Sequence, residues 1–162
     1  GDQVSVYGFE VAFQRQLDFI PGKFFKNLGL YTNYTFTHSE AKGITNEDGE
    51  ARTGLGLPKT APHMVNGSLA WENKKFSARI SANYTSDYLD EIGGNEFEDS
   101  YYDKQFFLDF NMSYKFAPKW RVFLEANNLT NQPFRYYQGQ SSRLKQLEYY
   151  QSRFTLGLKF DL

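Results

Sequence analysis

What the chain lacks excludes several classes of protein. It has no cysteine, which rules out disulfide bridges, thiolate metal sites and cysteine nucleophiles. Its net charge is −1 and its cations form no stripe along the sequence, so nothing indicates nucleic-acid binding. It has no apolar run near the roughly 18 residues that a transmembrane helix needs. A membrane is not excluded, because a barrel strand needs only about ten residues of alternating polarity.

Aromatic residues are abundant, at 19% of the chain, although the mean hydropathy is −0.63. They belong to stretches in which apolar and polar residues alternate, as in "FFLDFNMSYKF" at 106–116. This period of two predicts an all-β protein, an antiparallel up-and-down meander with no helix. Seven strands are predicted, at residues 4–17, 28–39, 63–72, 76–89, 104–116, 120–130 and 149–162.

The predicted connections differ in length. Short turns are expected at Asn73-Lys74 and at 117–119, with a somewhat longer one at 18–27. A two-residue turn at Asn73-Lys74 would set Trp71 opposite Phe76. The turn at 117–119 would set Phe116 opposite Trp120, Asn111 opposite Glu125 and the cations Lys115 and Arg121 opposite each other. The long polar loops are expected at 40–62, 90–103 and 131–148. Short turns at one end of a sheet and long loops at the other are typical of outer-membrane barrels.

Alternation alone does not say what the apolar face contacts, since a soluble sandwich alternates too. Aromatic residues bracket the apolar faces, as Phe76 and Tyr84 do, and such girdles occur at bilayer interfaces. The sequence therefore predicts a segment of a transmembrane β-barrel. Two alternatives stay open. One is a self-contained eight-stranded barrel or adhesin, in which the loop at 40–62 or 131–148 supplies a strand. The other is a soluble β-sheet oligomer.

Two stretches near the end of the chain carry a family resemblance. "ANNLTNQPFRYYQG" begins at Ala126, and "QSRFTLGLKFDL" runs from 151 to 162. Together they resemble the carboxy-terminal end of TonB-dependent outer-membrane receptors. In that family an Asn-Leu motif lies at the top of the penultimate strand, and Asn127, Asn128 and Leu129 match it.

The last strand also resembles the signal that the barrel assembly machinery reads. That signal has a glycine, an aromatic residue further on and a terminal aromatic or apolar residue. Gly157, Phe160 and Leu162 match these positions. The family usually ends in phenylalanine, and this chain has Leu162 instead.

The resemblance implies a 22-stranded barrel in the bacterial outer membrane, filled by an amino-terminal plug. Residues 1–162 would be its last seven strands, with the plug and the remaining strands absent. The whole receptor would take up a scarce nutrient such as an iron chelate, cobalamin or an oligosaccharide. Its partners would be the rest of the barrel, the plug, outer-membrane lipid, the TonB complex and the barrel assembly machinery. The resemblance implies neither catalysis nor a cofactor.

Several polar and aromatic residues are candidates for a site. Tyrosines gather in the predicted outer loops, and they would either stack on a sugar or an aromatic chelator or form the upper aromatic girdle. The ligand-binding candidates are Tyr101, Tyr102, Tyr136 and Tyr137. His38 and His63 are more typical of strand ends than of a metal site. Asp109, Glu125 and Arg153 are expected to form a solvated charge network and not a catalytic centre.

Overall fold

The computed structural model describes residues 3–161. Within that range the chain folds into eleven strands and one short 3₁₀ turn, Phe25–Asn27. The strands are β1 (Gln3–Gln16), β2 (Leu28–Lys42), β3 (His63–Glu72), β4 (Phe76–Thr85), β5 (Tyr88–Glu91), β6 (Ser100–Tyr102), β7 (Gln105–Ala117), β8 (Trp120–Asn127), β9 (Phe134–Gln138), β10 (Gln140–Glu148) and β11 (Arg153–Phe160). No helix in the described range is long and apolar enough to span a membrane.

Seven of these strands form one antiparallel sheet, called here the wall sheet. Its order is β1-β2-β3-β4-β7-β8-β11, so each strand lies beside the strand of this sheet that follows it along the chain. The predicted all-β meander of seven strands is therefore confirmed. The wall sheet is open, because in residues 3–161 β1 pairs with β2 alone and β11 with β8 alone.

The long loops are more ordered than the sequence predicted. Short strands within and beside them form a second sheet of four strands in the order β10-β9-β6-β5, called here the loop sheet. The predicted strand 76–89 is wrong at its end, since it breaks after Thr85 and resumes as β5. The predicted last strand is also too long at its start, since β11 begins at Arg153 and not at 149. The residues up to Glu148 belong to β10, which pairs with β9.

The strand registers agree with the prediction in the middle of the wall sheet and differ at its turns. Asn111 lies opposite Glu125, as predicted. Trp71 lies opposite Ala78 instead of Phe76.

The reason for this difference is the side chain of Asn73, whose Oδ1 accepts the N–H groups of Lys75 and Phe76 at 2.8 Å each. The hairpin therefore turns at Lys74-Lys75. The register moves by two residues, so no side chain changes face. At the next hairpin Trp120 pairs with Ala117, and a bulge falls at Phe116.

The two faces of the wall sheet differ in chemistry. On the apolar face the side chains project freely, and on β11 Phe154, Leu156 and Leu158 are 65%, 75% and 59% exposed. The opposite, polar face carries hydrogen-bonded rows such as Glu10–Asn33–Asn66, with links of 3.0 and 2.8 Å. Exposed apolar faces this large belong to an interaction surface.

Most of the core lies at the loop end of the molecule. The buried apolar side chains include Leu55, Leu89, Tyr102 and Tyr137, and the buried polar ones are Ser86, Asp99 and Ser100. The wall sheet contributes little to this core because neither of its faces is covered by the described residues. The packed part of the chain is therefore β5, β6 and Tyr137 of β9, whereas β10 is exposed along its whole length.

Candidate functional site

The loop sheet brings all four candidate tyrosines together. Tyr101 pairs with Tyr137 and Tyr102 with Tyr136 across β6 and β9. The ring centroids are 5.2 Å apart in the first pair and 4.6 Å apart in the second, and both pairs are stacked. Because neighbouring residues of a strand point to opposite faces, the two pairs lie on opposite faces of the loop sheet.

The face that carries Tyr101 and Tyr137 is covered by the segment 52–57. Tyr101 lines a cavity of about 280 Å³ together with Leu55 and Ser39. The Tyr137 hydroxyl donates a hydrogen bond of 2.7 Å to Asp87 Oδ2. This face belongs to the buried core, and its tyrosines hold the sheet in place.

An ion pair between Arg52 and Asp99 closes this core. Arg52 Nη1 donates to Asp99 Oδ1 at 3.0 Å and to the Gly93 carbonyl at 3.2 Å, and Nη2 forms a second bond to Asp99 Oδ2. Asp99 Oδ1 also accepts the Gly93 N–H at 2.9 Å. The side chains are only 10% and 2% exposed. This hydrogen bond with Asp99 raises the pKa of Arg52, so the guanidinium keeps its charge inside the core.

The opposite face of the loop sheet carries an aromatic row. Tyr88, Tyr102 and Tyr136 lie side by side, with centroids 5.5 and 4.6 Å apart. Tyr102 also stacks on Phe134 at 6.0 Å, and Phe134 contacts Tyr150 edge-on at 5.2 Å. Tyr102 is buried in the middle of this row, and its hydroxyl has no hydrogen-bond partner in the described part of the chain.

A groove of about 420 Å³ opens at the exposed end of this row. It is lined by Phe134, Tyr136, Gln146, Glu148 and Tyr150. Glu148 accepts hydrogen bonds of 2.6 Å from both Gln146 and Tyr150, and these bonds lower the pKa of Glu148. A groove with aromatic walls and a charged acceptor suits a flat ligand that carries hydroxyl groups, such as a sugar or a catechol.

The pKa shifts separate the buried tyrosines from the groove. Burial is the main cause that raises the pKa of Tyr102, and for Tyr137 the hydrogen bond to Asp87 adds to burial. For Tyr150 the hydrogen bond to Glu148 raises the pKa. Each tyrosine is therefore protonated at neutral pH, and none is prepared to act as a base.

The four candidate tyrosines differ in how much of their surface a ligand could reach. Tyr136 lines the open groove, whereas Tyr102 and Tyr137 are each 6% exposed and have little surface to offer a ligand. The ligand-binding assignment stays a prediction for all four. Nothing in the sequence pattern marks Phe134, Glu148 or the Arg52–Asp99 pair. Arg52 and Asp99 are 47 residues apart, so no local signal connects them.

The Asn-Leu motif forms the junction between three strands. Asn128 adopts a left-handed conformation with φ of 55°, and its N–H donates to Asp109 Oδ1 at 2.8 Å. Its side-chain Oδ1 accepts the Gln132 N–H at 2.8 Å, and its carbonyl accepts the Ser152 hydroxyl at 2.8 Å. The Leu129 N–H donates to the Leu108 carbonyl at 2.8 Å. Asn127 pairs with Arg153 on β11. The motif thus ties the end of β8 to β7 and β11.

Two of the three residues of the predicted assembly signal lie on β11. Gly157 is on the polar face opposite Phe123. Phe160 is on the apolar face, where its ring lies 4.8 Å from that of Trp120. Leu162 lies outside the described residues. The role of these residues in assembly stays a prediction.

Within residues 3–161 the other candidate polar residues form no ion pair with one another. His63 Nδ1 shares a 2.9 Å hydrogen bond with the Tyr34 hydroxyl, and the His38 ring packs against Tyr7. No group of three or more possible metal ligands occurs within residues 3–161. The Asp109 carboxylate accepts the Asn128 N–H, and Glu125 lies opposite Asn111 and Thr155. Arg153 lies opposite Asn127, so the three predicted network residues share the polar face around Asn127.

This fold, an open antiparallel sheet with one apolar face, one polar face and an ordered loop end, is that of a segment of a β-barrel. A family model described as TonB dependent receptor-like, beta-barrel matches residues 1–129. The chain therefore belongs to the TonB-dependent receptor-like β-barrel family, whose members are outer-membrane transport receptors and not enzymes. Neither the curated proteins nor the solved structures include a match to the chain. The family match ends at residue 129, so the assignment of Gly157, Phe160 and Leu162 depends on the sequence resemblance.

Proposed function

We propose that this chain forms the last seven strands of the barrel of an active-transport receptor. The receptor takes up a scarce nutrient, such as an iron chelate, cobalamin or an oligosaccharide, with energy delivered through the TonB complex. A plug domain lies inside the barrel and contacts the polar face of the wall sheet. The chain itself acts as a wall and carries out no transport alone.

The observation that carries this proposal is the open wall sheet with one apolar face. In lipid each backbone N–H and C=O group needs a partner, so a spanning sheet has to close into a barrel. The free edges of β1 and β11 therefore require further strands. The loop strands do not supply them in the described residues, because they pair with each other in a separate sheet. This arrangement favours a large barrel over the self-contained eight-stranded one.

We place the nutrient-contacting surface of this segment in the groove beside Tyr136. Phe134, Tyr136 and Tyr150 would stack on a flat part of the ligand, and Glu148 would accept its hydroxyl hydrogens. Tyr101, Tyr102 and Tyr137 would position the groove from within the loop sheet. In the same receptor Gly157, Phe160 and Leu162 would be read by the barrel assembly machinery.

An uptake experiment tests the proposal. The gene is first read upstream of residue 1 for a plug domain and about fifteen further alternating strands, the number that completes a barrel of 22. The intact receptor is then deleted from its host, and growth is measured with iron chelates, cobalamin and oligosaccharides as limiting nutrients. We expect loss of growth on one class, restored by the receptor and abolished again without TonB. Growth that is independent of TonB, or a chain that sediments as a compact monomer without detergent, would contradict the proposal.

A further inference from the structure

Four cations form a line across the turn end of the polar face. Lys115 on β7 lies opposite Arg121 on β8, and Arg121 lies opposite Lys159 on β11. Lys75 is next in line, since its carbonyl accepts the Lys115 N–H at 2.7 Å. We call Lys75, Lys115, Arg121 and Lys159 the cationic row. Opposed side chains in such a sheet have Cβ atoms about 5 Å apart, so the charges repel one another.

Little in the described residues balances this charge. Lys75, Lys115 and Arg121 form no ion pair within residues 3–161, and Lys159 approaches Asp161 at 3.9 Å with both side chains largely exposed. The next row of the polar face, two residues further from the short turns, contains Ser77, Ser113, Phe123 and Gly157, which carry no charge. Glu72 lies beside Ser77 at the edge of that row and makes no ion pair with the cations. The chain as a whole has a net charge of −1, so the row is a local concentration and not part of a basic protein.

The position of the row restricts what can neutralise it. Lys115, Arg121 and Lys159 share a face with Glu125, the face opposite to that of Trp120 and Phe160. Lipid headgroups would contact the apolar side and not this one. The row also lies beside the short turns, at the end of the sheet opposite the aromatic groove, so an external nutrient is not its natural ligand. The partner is then a negatively charged group inside the barrel at the turn end.

We propose that the cationic row binds an acidic polypeptide segment inside the mouth of the barrel. The inference rests on the proposed function, since in a receptor of that kind the segment belongs to the plug. Several cations spaced along a line match successive carboxylates of an extended or irregular chain better than they match one small anion. Their attraction is screened by salt, with a Debye length of about 10 Å at 0.1 M, so retention of the segment depends on ionic strength.

Zero-length cross-linking of the intact receptor in outer membranes tests this. A carbodiimide joins a lysine amine directly to a carboxylate that it contacts, and peptide mapping identifies both. We expect cross-links from Lys75, Lys115 or Lys159 to aspartate or glutamate residues upstream of residue 1. Lys23 and Lys119 are the internal controls: both are exposed at the same end of the sheet and lie outside the row. They should react freely with an amine-acetylating reagent while the row lysines are protected.

Two variants separate charge from reactivity. Lys115→Arg/Lys159→Arg keeps the charge and removes two amines, so the cross-links from those positions should disappear while the acidic segment stays protected from protease over the same range of salt. Lys115→Gln/Arg121→Gln/Lys159→Gln removes three charges, so the acidic segment should detach from the wall and become accessible to protease at lower salt. Lys23→Gln/Lys119→Gln should change neither result. Heat-modifiable mobility on a gel checks that each barrel is inserted.

Three outcomes would overturn the inference. The first is acetylation of the row lysines at the rate of Lys23, with no cross-link. The second is a triple glutamine variant whose segment keeps the protease resistance of the parent with the same salt dependence. The third is protection of the row by added inorganic phosphate alone, which would make it a small-anion site. All three leave TonB-dependent uptake intact, whereas loss of that uptake would contradict the proposed function and not the row.

Discussion

The ring of Phe123 lies over Gly157. A Cβ atom added at Gly157 would come within 2.2 Å of Cζ of Phe123, so an alanine there fits only if the ring moves. Aromatic side chains that cover a glycine on the neighbouring strand help to set strand register. Gly157 therefore has a packing role, in addition to the assembly role that its sequence context predicts.

Gly157→Ala should weaken the pairing of β8 with β11, at a cost of about 1–3 kcal/mol, as for other overpacked sites. The measurement is the fraction of full-length receptor that inserts and its resistance to urea. Combining the change with Phe123→Leu separates the two roles. If packing is the cause, the double variant recovers stability. If the assembly machinery requires the glycine itself, insertion stays impaired in the double variant.

Asn128 should tolerate glycine better than alanine. Its φ of 55° is costly for alanine, and its side chain also holds the Gln132 N–H. Asn128→Gly loses only the side-chain bonds, whereas Asn128→Ala loses them and strains the backbone by a further ~1 kcal/mol or more. Urea unfolding in detergent should rank Asn128 first, glycine second and alanine last. Equal stability of the two variants would mean that the backbone conformation contributes nothing.

The Arg52–Asp99 pair should hold the segment 43–57 against the loop sheet. Arg52→Ala leaves the buried Asp99 carboxylate unpaired, a change that typically costs about 3–5 kcal/mol. Hydrogen exchange should speed up in 43–57 and 93–99 while the wall sheet keeps its protection. The control is Lys59→Ala, which breaks an ion pair to Asp90 whose lysine is 71% exposed and should cost less than about 1 kcal/mol. Uniform loss of protection in both sheets would contradict a local role for Arg52.

These contacts show which parts of the protein the sequence predicts. Strict alternation identifies the wall strands and their faces, because lipid on one side and water or protein on the other select residues at every second position. The loop sheet escaped prediction because β6 has three residues and β9 five, too few for a period to show. The bulge at Phe116 leaves no sign either, since Phe116 continues the alternation. Gly157 was identified by its motif, whereas its contact with Phe123 depends on a register that only the structure gives.

Tyr102→Phe and Tyr137→Phe should have opposite effects. Tyr102 has a buried hydroxyl without a partner in the described residues, so its removal should be neutral or stabilising. Tyr137→Phe removes a hydrogen bond to a carboxylate and should cost about 1.5–3 kcal/mol. Thermal unfolding of the two variants, read with a probe in the loop sheet, measures the difference. A destabilised Tyr102→Phe variant would reveal a partner for that hydroxyl.

The same two tyrosines predict sensitivity to alkali. Burial raises the pKa of both above the ordinary value of about 10. These two groups leave stability independent of pH below pH ~10, and they make it fall as the pH rises from there, because the unfolded chain then releases protons that the folded chain retains. Stability measured against pH should fall less steeply above pH ~10 in Tyr102→Phe than in the parent. An unchanged slope would mean that Tyr102 ionises normally.

The facing of the last strand can be tested with one pair of substitutions. Leu156 is 75% exposed on the apolar face of β11, and its neighbour Thr155 lies on the polar face opposite Glu125. If the apolar face contacts lipid, Leu156→Lys places a charge near the middle of the bilayer, at a cost of about 2–4 kcal/mol. Thr155→Lys places the same charge beside a carboxylate, so it should be tolerated or slightly favourable. The measurement is the fraction of receptor that inserts into vesicles and shows heat-modifiable mobility. We expect a clear loss for Leu156→Lys and none for Thr155→Lys. Equal insertion of the two variants would contradict a lipid-facing Leu156, and a loss confined to Thr155→Lys would reverse the assignment of both faces.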